Sequence, residues 1–320
     1  METHAAFSLF IACYVAWSIG ANDETVAPLA GSGAFSLRTA VVLGGVSAML
    51  GALLIGQRVE TTLGEGILSF TVTETETMVI LFSLASWLTV NSYFGWPIST
   101  THSSVGAIIG LAIAKGGTQS VRWSTLGYIT ISWAVSPLIG FVGSIFIHRV
   151  TRLILRPRVK GLIAQMKLAR RSTSFLAFWV LLTSFSRGAN DIANATAILG
   201  DVAGLNPLVL RGLVAVGMAL GLIVVGRKVI RAVGVDLVKL DPISALSSQI
   251  AVALTMLIGT YLGIPLSGTH ILVGAVVGLG VSKGIWVNLK GVREITYTWL
   301  ATFVGAAALS GAAYMVVSSL

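Results

Sequence analysis

The chain has 320 residues, of which 55% are hydrophobic and 10% charged, where an average soluble domain carries about 25% charged residues. With a mean hydropathy of +0.90, this much apolar surface needs lipid as its solvent, which excludes a cytosolic enzyme, a secreted disulfide scaffold and a disordered chain. The net charge of +9 would suit nucleic acid, but the basic residues gather beside apolar segments, so a lipid bilayer and not nucleic acid is the expected partner.

Met1-Glu2-Thr3-His4 offers no basic leader, so the first apolar run is expected to be a membrane helix and not a signal peptide. Apolar segments recur at 4–21, 37–56, 76–95, 97–114 and 123–148, then at 174–190, 207–226, 243–263, 265–282 and 294–318. Each is near the ~20 residues that cross a bilayer as helix. Residues 22–36 and 191–205 are shorter and rich in Gly and Ala, as half-helices or re-entrant pieces would be. Between the two sets, Arg149, Arg152, Arg156, Arg158, Lys160, Lys167, Arg170 and Arg171 stand without an acid. The positive-inside bias makes 149–171 a cytoplasmic loop and puts both termini outside, with Arg58, Lys115, Arg122, Arg187 and Arg211 as the outside minority. The expected division is a first repeat over 1–148, a basic linker over 149–172 and a second repeat over 173–320. Trp87, Trp96, Trp123, Trp179 and Trp299 read as interfacial anchors.

Two motifs occur twice at one offset. Gly20-Ala21-Asn22-Asp23 returns 168 residues later as Gly188-Ala189-Asn190-Asp191, and Pro97-Ile98-Ser99-Thr100-Thr101-His102 returns, also after 168, as Pro265-Leu266-Ser267-Gly268-Thr269-His270. A shared spacing across both motifs marks a duplication. Each unit holds an odd number of spans, so the second enters from the opposite side. The expected fold is an all-α polytopic membrane protein of two inverted-topology repeats, about five spans each, plus half-helices: about 10–12 membrane segments, as in secondary transporters.

The duplicated motifs are the candidate site. Ionised Asp23 and Asp191 are costly in hydrocarbon and offer acceptors only, while Asn22 and Asn190 offer donors and acceptors. Together they could hold a small hard cation and donate to an anion; simple helix capping is the competing reading. Pro97 and Pro265 begin helices, whose N-termini gather free N–H groups and partial positive charge. Ser99, Thr100, Thr101, Ser267 and Thr269 add hydroxyls, and Gly268 would let an anion approach the backbone. Here too capping is the alternative. His102 and His270 could relay protons or could be bonded within the bundle. No cysteine or histidine cluster suits zinc. No phosphate loop appears, so no cofactor is expected and the driving force must be an ion or substrate gradient.

Gly-Ala-Asn-Asp and Pro-[Ile/Leu]-Ser-x-Thr-His in each half, with Gly188-Ala189-Asn190-Asp191-Ile192-Ala193-Asn194-Ala195, resemble the inorganic phosphate transporter (PiT) family, which also includes sulfate permeases. The resemblance covers essentially the whole chain. It implies a symporter of inorganic phosphate in the cell membrane, coupled to Na⁺ or H⁺ and often dimeric. It places Asn22, Asn190 and the helix-start residues at the anion, and Asp23, Asp191 and Asn194 at the coupling cation. Two departures stand out: Val26 replaces the counterpart of Asn194, and Glu24 stands where the other half has Ile192. Sulfate in place of phosphate, an intramembrane enzyme on a phosphorylated lipid, and a channel are the competing readings.

Overall fold

A computed structural model describes residues 2–33, 35–155, 161–199, 206–238 and 241–320. Arg156, Arg158, Lys160 and Lys239 from the charge argument, and 200–205 of the second expected re-entrant piece, lie outside them. The described residues form thirteen α-helices and one short 3₁₀ turn, with an isolated bridge between Leu68 and Val121.

The first half holds α1 (Glu2–Ala21), α2 (Ala27–Gly31), α3 (Leu37–Ile55), α4 (Gln57–Gly66), α5 (Glu74–Phe94), α6 (Thr100–Gly116) and α7 (Trp123–Leu155). The second holds α8 (Leu162–Leu199), α9 (Pro207–Val224), α10 (Arg227–Gly234), α11 (Pro242–Tyr261), α12 (Gly268–Lys283) and α13 (Leu289–Ser318). Each of the ten apolar segments falls on a helix. Six of these helices are long and apolar enough to cross a membrane. Leu54, Ile131, Phe146 and Leu300 are each more than 60% exposed, as side chains facing lipid would be. The chain is a multi-pass membrane protein.

The basic stretch, where Leu153, Ile154, Leu162, Ile163 and Met166 suit an amphipathic helix, is mostly helix, since α7 runs to Leu155 and α8 starts at Leu162. Two features depart from the expected plan. The loops expected after α3 and α9 contain the short helices α4 and α10. And the two Gly- and Ala-rich pieces differ from each other. After α1 the chain unwinds at 22–26 and restarts as α2, whereas α8 runs unbroken through Asp191 to Leu199. The cause is local. Asp23 Oδ1 accepts from Thr25 N at 2.9 Å and from Thr25 Oγ1 at 2.5 Å, a side-chain turn that competes with helix. Pro28 then removes a donor and would clash with the carbonyl of Glu24 in a continuous helix. In the second copy Thr196 stands at that position.

The halves interlock. α6 of the first lies along α13 of the second, and α12 of the second along α7 of the first. Gly106 and Gly110 make the first contact, where an added Cβ would stand 2.5 Å from Phe303 O and 2.0 Å from Ala307 O. Gly274 and Gly278 make the second, with Pro137 O at 2.2 Å and Phe141 O at 2.4 Å. Each pair is a Gly-x-x-x-Gly, the spacing that brings helix backbones together in lipid. This packing sets the starts of α6 and α12 against each other in the interior.

Candidate functional site

Asn22 ends α1. Its Nδ2 donates to Ser92 Oγ at 3.0 Å and to Trp96 O at 3.2 Å, and its Oδ1 accepts from Ile98 N at 3.3 Å. Asn190 repeats the first two bonds 168 residues on, donating to Thr260 Oγ1 at 3.3 Å and to Ile264 O at 3.0 Å. Both amide groups therefore tie a helix to the connection leading into α6 or α12. The Oδ1 of Asn190 is buried with no hydrogen-bond partner among the described residues.

The two helix starts cross-link each other. Thr101 Oγ1 donates to Leu266 O and Thr269 Oγ1 to Ile98 O, both at 3.2 Å. Ser99 and Ser267 are N-caps, accepting from His102 N at 3.2 Å and from His270 N at 3.3 Å, so the capping reading holds for these hydroxyls. Thr100 lies buried in the first turn of α6, where α12 has Gly268. The His102 and His270 rings meet edge to face with centroids 4.6 Å apart. Their Nδ1 atoms face Trp299 O and Trp133 O, and both Nε2 atoms are buried without a hydrogen-bond partner among the described residues. Trp299 is thus not an interfacial anchor: it is buried, its ring lies 3.8 Å from that of His270, and its Nε1 donates to Pro97 O.

Beside these starts lies a charged cluster. Arg187, expected outside the membrane, is 4% exposed within α8. Its Nη1 and Nη2 hold Glu24 Oε1 at 2.6 Å and Oε2 at 3.2 Å, a bidentate pair. Nε donates to Asp191 Oδ2 at 3.3 Å, one turn along the same helix, and Nη1 lies 3.5 Å from Asp23 Oδ1. Nη2 also donates to Thr269 Oγ1 at 3.1 Å. The stem packs on Gly268, where an added Cβ would stand 2.6 Å from Arg187 Nε. At Gly268, then, the structure brings up the Arg187 side chain in place of the expected anion.

Asp23, Glu24, Asp191 and Asn194 are all buried. Asn194 Nδ2 donates to Asp191 O at 3.1 Å, and its Oδ1 is a second buried carbonyl oxygen without a partner among the described residues. Among those residues no group of three or more His, Cys, Asp or Glu has the arrangement of a metal site. The cluster consists of carboxylates and amide groups gathered around one guanidinium.

The order of these elements along the chain matches a known family. Residues 19–310 match the model of the PHO4 phosphate transporter family. The chain belongs to this family. A protein of Chlamydia pneumoniae named as a phosphate permease is 28% identical over 95% of this chain and 96% of its own length. The inorganic phosphate transporter 2-1, chloroplastic, of Arabidopsis thaliana is 29% identical over 93% of this chain and 70% of its own. In three dimensions the fold is that of a solved sodium-dependent phosphate transporter, with a TM-score of 0.91, 24% identity, and 99% of this chain and all of the other covered.

Within this phosphate transporter family fold, the starts of α6 and α12, the His102–His270 pair and, through Arg187, Asp23 and Asp191 come together where the halves meet, while Asn22, Asn190 and Asn194 bond within their own halves. Sequence reasoning missed Arg187, and the signal was available: an arginine within an otherwise uncharged stretch, three residues before Asn190, is an intramembrane charge that needs partners.

Proposed function

We propose that the protein is a secondary carrier that moves inorganic phosphate across the cell membrane by alternating access, in symport with Na⁺. One observation carries the reading: the starts of α6 and α12 meet in the interior, cross-linked through Thr101 and Thr269, directly beside buried Asp23 and Asp191. Two opposed helix N-termini create a positive potential for a tetrahedral oxyanion without spending a side-chain charge. The Asp191 carboxylate and the free amide oxygens of Asn190 and Asn194 supply ligands for the cation, while Asp23 faces Thr25 and Arg187. Thr100 and the first-turn N–H groups are the anion contacts, since Ser99 and Ser267 serve as caps and the Arg187 side chain lies against Gly268. Family membership and the names of the relatives favour phosphate, and the sodium dependence of the solved neighbour favours Na⁺. The positive-inside bias favours both termini outside, and Gly-rich faces would serve a homodimer.

The test is uptake of labelled phosphate into proteoliposomes under an imposed Na⁺ gradient or pH gradient, with excess unlabelled sulfate. Phosphate uptake driven by Na⁺ and indifferent to sulfate is the expected result. Entry of sulfate in place of phosphate would reassign the substrate, and uptake driven only by the pH gradient would reassign the ion.

A further inference from the structure

We propose that Arg187 is a tethered cation that fills the first-half cation position of this carrier, leaving Asn190, Asp191 and Asn194 of the second half to bind one mobile Na⁺. The proposal rests on the transport reading above.

Three observations carry it. A guanidinium has five N–H bonds, and here four of them are given to Asp191 Oδ2, both oxygens of Glu24 and Thr269 Oγ1, while Nη1 also lies 3.5 Å from Asp23 Oδ1. Three of its four partners are carboxylates, so its partners define Arg187 as a counter-ion. Second, the first half lacks the oxygens a mobile ion would need. Asp23 Oδ1 is shared among Thr25 N, Thr25 Oγ1 and Arg187, Asn22 Oδ1 is taken by Ile98 N, and Val26 brings a hydrocarbon where the second half has Asn194. In the second half, by contrast, the amide oxygens of Asn190 and Asn194 are buried and unpartnered among the described residues. They stand four residues apart, on one face of α8, and Asn194 is tied to Asp191 through the bond from its Nδ2 to Asp191 O. Amide and carboxylate oxygens are the ligand type that hard metal cations take.

Third, the symmetry breaks as one unit. At the 168-residue offset Arg187 answers to Ile19, Glu24 to Ile192 and Gly268 to Thr100. These three departures touch each other: Glu24 grips the guanidinium, and Gly268 clears the space its stem occupies. Capping or generic burial would not require all three to change together.

Equilibrium binding of ²²Na⁺ to the purified full-length protein tests this without any transport step. The wild type is expected to bind one Na⁺ per chain. Val26→Asn alone should stay at one, because Arg187 still fills the position. The variant combining Glu24→Ile, Arg187→Ile and Val26→Asn, which removes one charge of each sign and restores the missing amide, should bind two. Asn194→Ala in the wild-type background should bind none, and it gives a readout should the triple variant fail to fold. Zero or two Na⁺ in the wild type, one in a folded triple variant, or undiminished binding by Asn194→Ala would each overturn the proposal. Loss of phosphate affinity in Glu24→Ile/Arg187→Ile with Na⁺ binding unchanged would also overturn it, making Arg187 an anion ligand. A wild type that binds one Na⁺ yet takes up no phosphate would instead defeat the transport reading and leave the cation assignment standing.

Discussion

Asn22 and Asn190 make matching hydrogen bonds to residues 168 positions apart, while the residues around them have diverged in conformation, charge and partners. In the first half the chain unwinds after Asn22, and its carboxylates turn toward Thr25 and Arg187. In the second the helix continues, and its amide oxygens stay free. The bonds both halves keep are those from Asn22 or Asn190 to the helix and connection that lead into α6 or α12. Those that differ belong to the charged cluster. Duplication thus supplied a scaffold, and divergence acted on the ions within it.

The sharpest way to break this comparison is at Arg187 and its counterpart Ile19. Arg187→Leu would strand three buried carboxylates, and losing one partner of a buried ion pair costs about 3–5 kcal/mol. A loss of that size is expected in detergent unfolding followed by tryptophan fluorescence. Glu24→Ile/Arg187→Ile should recover part of it, because one of the three stranded carboxylates is gone, whereas Ile19→Leu, a volume-conserving change, should cost less than about 1.5 kcal/mol. Equal losses at 187 and 19 would mean that Arg187 contributes packing alone.

The matched amides come next. A hydrogen bond contributes about 1 kcal/mol net. Asn22→Ala loses three and Asn190→Ala two, so losses of about 3 and about 2 kcal/mol are expected from the same unfolding measurement. A larger loss at Asn190 would show that its unpaired Oδ1 is held by something more than these bonds.

Much of this arrangement is legible in the sequence, and what is not has physical causes. The 168-residue offset locates both motif copies, and apolar length locates ten helices. The contrast between Pro28 and Thr196 is also visible, yet treating 22–36 and 191–205 as equivalent hides it. Arg187 escapes because a hydropathy window averages one charge into its neighbours, so an arginine near a segment end counts as a loop residue. Its true status depends on Glu24, 163 residues away, which only the fold brings within 2.6 Å. Trp299 is mistaken for an anchor for the same reason: its burial comes from α6 and α12, not from its own helix.

On the proposed reading the two aspartates are unequal despite their identical motifs. Asp191→Asn removes charge from the half with free amide oxygens and should reduce Na⁺-driven phosphate uptake at least tenfold, about 1.4 kcal/mol. Asp23→Asn keeps an Oδ1 for Thr25, and Arg187 keeps Glu24 and Asp191, so uptake should fall by less. Uptake assays on both variants, normalised to protein in the membrane, decide this; equal losses would erase the distinction between the halves.

The smallest expected effect lies at the caps of α5 and α11. Thr73 and Glu76 form a capping box in the first half, with Glu76 paired to Lys115. In the second half the acid sits on the cap itself: Asp241 accepts from Ile243 N and Ser244 N and pairs with Lys283. Burial works to raise the Asp241 pKa, but the hydrogen bonds from Lys283 and Ser244 and the Lys283 charge outweigh it and hold the carboxyl below its ordinary value. A depressed folded pKa stabilises above the unfolded value of about 3.9, and that stability is lost as pH falls through the folded pKa. The group is half-exposed, so screening keeps its worth below about 1 kcal/mol. Asp241→Asn retains a capping oxygen and loses only the charge. It should therefore unfold slightly earlier than the wild type at pH 7, with the gap closing once the pH falls well below 4. A gap that persists in acid would show that Asp241 acts through the shape of its cap and not through its charge.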